Sequence, residues 1–147
     1  MSLYRTSELQ EEKVRCMSSF GAAREEELLL EVLELSLSEE VRAQDLVYIV
    51  ARVAANKLGL DLFWKFLQKN WSKFVTRVGD TALLARVVSG LSNYASHEKA
   101  AEIEEFFKTR KTANINRTVD QVLESIRSNA DWLKRDLESI RKYLSSF

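Results

Sequence analysis

The stretch DLVYIVARVAANKLG, residues 45–59, decides the fold. Leu46, Ile49, Val50 and Val53 recur three and four residues apart, which stacks them on one side of an α-helix, whereas a strand would need strict alternation. Asn56 follows as a residue tolerant of left-handed backbone, so it is expected to stop this helix, and Gly59 opens the next. The same template returns as Leu84, Val87, Val88 and Leu91, and again as Val119, Val122, Leu123 and Ile126. With no proline, only four glycines and no alternating run of useful length, the chain reads as all-α.

Start and stop signals divide the chain into about eight helices. Ser7 with Gln10 makes a capping box, and Gly21 is expected to end that helix in the left-handed conformation. A second helix runs over 24–35 and a third from Ala43 to Asn56. The fourth runs from Gly59 to Arg77, and Asp80 is the expected N-cap of the fifth. Ser96 caps a sixth that ends near Thr109, followed by a long helix over 116–134 and a short one over 136–145. Taken in pairs, the odd helices begin near Ser7, Ala43, Asp80 and Asn116, in steps of 36, 37 and 36 residues. One helical hairpin cannot bury its apolar face alone. This period therefore predicts antiparallel pairs stacked side by side as a HEAT/armadillo-like superhelix. Residues 1–3 are expected to be a leader, and 4–147 a single helical domain.

At 147 residues, 46% hydrophobic and 30% charged, the chain is long enough to bury a real core. Its 22 basic and 22 acidic residues cancel, and the part up to Lys73 carries −2 against +2 for the rest. This balance argues against nucleic acid or an anionic membrane as the main partner. Apolar runs stay short of the roughly 18 residues that suggest a membrane span. The one cysteine, Cys16, cannot form an internal disulfide and reads as an inert thiol on a helix, in keeping with a reducing, cytoplasmic setting.

Few residues carry chemistry. His97-Glu98 opens the zinc-protease motif, but Ala101 stands where the second histidine belongs. His97 is the only histidine, so neither a histidine-rich zinc site nor a histidine-based triad can be assembled, and it reads as a first-turn helix residue. Glu25, Glu26 and Glu27 point about 100° apart on a helix and cannot converge on one ion. Lys108, Arg110, Lys111 and Arg117 form a basic patch read as a solvated connection, able to meet an acidic partner surface. In WKFLQKNW, residues 64–71, Trp64, Leu67 and Trp71 share a face widened by Phe63, Phe66 and Phe74. Core packing is favoured there over a ligand-stacking platform.

Five segments in order carry a further signal: SEEVRAQD (38–45), WKFLQKNWSKF (64–74), ALLARVV (82–88), EEFFK (104–108) and RTVDQVLESIRSNADWLKRD (117–136). Together with the opening LYRTSELQEEKVRCMSSFG they resemble the C-terminal helical domain of the M1 zinc aminopeptidases, the puromycin-sensitive type most of all. The resemblance runs from Tyr4 to Leu144. It implies a part of a larger enzyme, since the family keeps its zinc-binding HExxH helix and its GxMEN loop in an upstream domain and neither motif occurs here. Zinc is then expected in the catalytic domain, with no cofactor and no catalytic or metal residue in this chain, which alone is not an enzyme. The implied role is to cap the active-site cavity and help govern peptide access, with the upstream catalytic domain and peptides as partners. Arg86 is carried over as a candidate peptide contact. Arg42, Asp45, Trp64, Trp71 and Trp132 are signature positions expected to be structural, with Arg42 pairing Asp45 and Trp132 wedging the final turn. The connection KTRKTANIN (108–116) departs from the proline- and glycine-containing linkers common in the family. The alternative is an independent helical-repeat adaptor that binds a protein on its concave face. A homodimer of the isolated chain through exposed apolar surface is also expected.

Overall fold

All three apolar stripes lie inside. Leu46, Ile49 and Val53, then Leu84, Val87, Val88 and Leu91, then Val119 and Ile126 are fully buried, with Val50, Val122 and Leu123 nearly so. The computed structural model describes residues 2–146, and among them it contains eight α-helices and no strand. They are α1 Ser2–Thr6, α2 Gln10–Phe20, α3 Glu26–Ser36, α4 Leu46–Ala55, α5 Gly59–Val78, α6 Ala82–Ser89, α7 His97–Phe107 and α8 Ala113–Leu144. A 3-10 turn, Gly90–Asn93, joins α6 to the loop before α7. The first helix, α1, starts at Ser2, inside the stretch expected to be a leader.

The packing order follows the repeat. The helix α2 packs on α4, α4 on α6 and α6 on α8, while α3 packs on α5 beside them. Apolar faces are thus covered by the next hairpin along. Polar ties between neighbouring hairpins keep the same step. Tyr4 Oη donates to the Glu40 carbonyl, Asn56 Nδ2 to the Gly21 and Ala23 carbonyls, Tyr94 Oη to Asp61, and Asn129 Nδ2 to the Ser92 and Tyr94 carbonyls. These bonds span 33 to 37 residues of sequence. Arg77 adds a clamp across the α3–α4 connection, donating to the Ser38 carbonyl at 2.7 Å and to the Val41 carbonyl, and pairing with Glu39 at 2.8 Å.

Several boundaries differ from the expected ones, each for a local reason. Gly21 has φ −70°, not a left-handed value. Its glycine is needed for contact, because a Cβ there would fall 2.5 Å from the Arg52 backbone where α2 crosses α4. Asn56 is extended at φ −80°, ψ 134°, and its side chain serves the preceding hairpin as described above. Thr81, not Asp80, caps α6, accepting from the Leu83 amide at 3.1 Å. Asp80 instead accepts from the Thr112 hydroxyl, and Asn114 Nδ2 donates to the Asp80 carbonyl at 2.9 Å, tying the α5–α6 loop to the start of α8. Leu9, not Ser7, is the N-cap of α2 and makes no side-chain cap. Ser7 accepts from the Leu9 amide and donates to Glu12 at 2.7 Å; the Gln10 side chain of the expected box lies outside the described residues. The two last helices are one, since α8 runs unbroken through Arg135 and Asp136. Ser96 caps α7 as expected, accepting from the Lys99 amide. Within α5, Asn70 leaves helical geometry at φ −112°, ψ 18°, and its side-chain amide donates to the Phe66 carbonyl four residues back.

Candidate functional site

The helix α5 presents two different surfaces, and both grow out of the segment WKFLQKNWSKF. On the inner one Trp64 is 1% exposed and its indole Nε1–H donates to Glu102 of α7 at 2.7 Å. Buried indoles need such an acceptor. Trp64 and Trp71 both meet Phe106 edge to face, at 5.2 and 5.9 Å, and Trp71 meets Phe107 at 5.4 Å. The tryptophans therefore lock α5 to α7 as packing, and Trp71 remains half-buried at its edge. Lys99 pairs with the other oxygen of Glu102 at 2.8 Å; this bond, together with the indole, holds the carboxyl below the usual carboxylate range.

The outer surface of α5 forms a groove against α3 of about 600 Å³. Leu30, Leu37, Leu62 and Phe66 line it, with Glu34 on the α3 side and Lys65, Lys69 and Lys73 on the α5 side. This lysine row was not singled out from the sequence, although its four-residue spacing places the three ammonium groups on one helical face. A concave apolar floor beside a row of cations is suited to a polypeptide segment.

Of the signature positions, Trp64 and Trp71 are brought together through Phe106, and Arg42 and Asp45 meet at the entry to α4, while Trp132 stands apart from both pairs. Asp45 is buried at the entry to α4, its amide donating to the Arg42 carbonyl at 2.9 Å, while Arg42 itself is exposed. Arg86 is exposed on α6. Trp132 is 46% exposed on α8, and with the last two helices fused into one, no break between them follows for it to wedge. Its ring borders a shallow surface hollow with Arg127, Ser128 and Arg135 of the same helix. His97 Nε2 lies 2.9 Å from Asp131 at an exposed position of α7. Two of the four basic-patch residues are paired with carboxylates, Lys108 with Glu105 and Lys111 with Asp120 at 2.6 Å, while the Arg110 guanidinium sits 4.1 Å over the Phe106 ring. Among the described residues no three His, Cys, Asp or Glu side chains come together in a way that could hold a metal ion. No described helix is long and apolar enough to cross a membrane.

Residues 1–128 match the family model described as the ERAP1-like C-terminal domain. Similar proteins include Aminopeptidase M1 of Arabidopsis thaliana, 36% identical over 143 residues, which cover 97% of this chain and 16% of that protein. Aminopeptidase M1-A of Oryza sativa subsp. japonica is 33% identical over 91% of this chain and 15% of its own length. The alanine/arginine aminopeptidase of Saccharomyces cerevisiae is 29% identical over 97% of this chain and 17% of its own. The chain thus spans about one sixth of the length of the curated relatives it matches. With the helices, their packing order and this match together, the chain belongs to the ERAP1-like C-terminal domain family of the M1 aminopeptidases.

Proposed function

We propose that this chain is the non-catalytic C-terminal part of a cytoplasmic zinc aminopeptidase of the puromycin-sensitive type, in which its stacked helices curve over the active-site cavity and limit which peptides enter. The observation that supports this reading is the nearly end-to-end match to one segment of proteins named as aminopeptidases. On this reading the zinc and the groups that activate water belong to the catalytic domain upstream, which is this segment's first partner. The chain's own residues supply shape and charge. Arg86 offers an exposed guanidinium able to meet peptide carboxylates.

The isolated chain, mixed with zinc and with alanyl or arginyl fluorogenic amides, is expected to release no fluorophore. Turnover that a chelator stops would overturn the assignment. In an enzyme carrying this segment, Arg86→Ala is expected to raise KM for peptides several-fold while leaving KM for single-residue amides unchanged. Equal effects on both substrates would remove Arg86 from the peptide path, and activity insensitive to puromycin would remove the subtype.

A further inference from the structure

The last buried residue of α8 is Ala130, yet the helix continues to Leu144. Apolar side chains continue with it. Leu133 and Leu137 are half-buried, Ile140 is 37% exposed and Leu144 65% exposed. Read together, Val119, Leu123, Ile126, Ala130, Leu133, Leu137, Ile140 and Leu144 alternate steps of four and three without a break. That is the a/d repeat of a coiled-coil seam. Its first half is covered within the fold, where α8 packs on α6 and α7. Its second half is covered only in part among the described residues, with Ile140 and Leu144 exposed.

The charges beside the open half select an occupant and a direction. With Leu137 and Leu144 at a positions, Asp136 is a g residue, and Lys134 and Arg141 are e residues. In a parallel pair of identical helices, g of one copy faces the following e of the other, which sets Asp136 opposite Arg141 twice. In an antiparallel pair e faces e, which sets cations against cations. Within one chain Asp136 is already held by Arg135 at 2.7 Å, and Arg141 lies 3.4 Å from Glu138. Both are exposed local pairs of small worth, free to exchange for pairing across a seam.

We propose that the 130–144 segment of α8 pairs in parallel with the same segment of a second copy as a short coiled coil. About two heptads are open, far less than a standard interface, so the expected dissociation constant is on the order of 100 µM. The inference does not depend on the aminopeptidase reading.

Sedimentation equilibrium of the full chain from 10 µM to 2 mM tests it, with circular dichroism confirming that each variant is folded. A monomer–dimer equilibrium is expected, abolished by Leu137→Asp with Ile140→Asp. Asp136→Arg and Arg141→Asp are each expected to weaken association about fivefold to tenfold, and the double exchange D136R/R141D to restore it to within about twofold. A monomer throughout the range would overturn the proposal. So would a dimer that survives the seam substitutions, whose contact would lie elsewhere, or one that the double exchange fails to rescue.

Discussion

Removing the Trp64 side chain would empty the junction between α5 and α7 and free one oxygen of Glu102. Trp64→Ala is therefore expected to destabilise the fold by about 3–5 kcal/mol in urea unfolding. Trp64→Phe keeps a ring against Phe106 and loses only the indole donor, so about 1 kcal/mol is expected. Tyr94 offers a second test, through pH. It is buried and its hydroxyl donates to Asp61 at 2.6 Å, so burial first, and then the carboxylate, push its pKa well above the usual 10.0. An unfolded tyrosine loses its proton from about pH 10 while the folded one keeps it, so this contribution is whole below pH 10 and falls away as pH rises beyond. Unfolding free energies measured between pH 8 and 11 should fall more steeply for the native chain than for Tyr94→Phe. Parallel curves would refute the assignment.

At the level of single helices, contact geometry decides what a glycine is for. Gly21→Ala would drive a Cβ into the Arg52 backbone, and separating α2 from α4 to relieve it is expected to cost about 1–3 kcal/mol. At Gly79 the cause is different, since φ is +66° and an alanine methyl there would sit 3.5 Å from its nearest outside neighbour, Thr81 Cγ2. There Gly79→Ala strains only the local backbone, which at ψ −179° lies in a region almost reserved for glycine, by about 1–3 kcal/mol, without moving a helix. The same distinction explains what the sequence made legible. The stripes at Leu46, Leu84 and Val119 were readable because period alone places them, and Ser96 because a serine ahead of a helical run has one dominant use. Gly21 and Asn56 were not, because their roles are set by residues 31 and 35 positions away on another hairpin. Arg135 and Asp136 suggested a break, but neither is a helix breaker, and the helix passes through both. Of the candidate site, the tryptophan junction was legible from aromatic spacing. The α3–α5 groove was not, because its walls come from two hairpins.

Across the whole molecule, each hairpin touches its neighbours and the polar ties repeat that rule. Stability should then be highest in the middle, where α4 is covered from both sides by α2 and α6, and lowest at the ends. Amide hydrogen exchange is expected to be slowest in α4, α5 and α6, and at least about tenfold faster in α1 and in α8 beyond Ala130. Uniform protection along the chain would contradict this. The near-constant reach of those ties has an evolutionary corollary. Since Asn56 or Tyr94 answers only to the adjacent unit, a gene could gain or lose one whole hairpin without rewriting the remainder, so descendants of such a domain can differ in length by multiples of a single module while keeping every surviving joint intact.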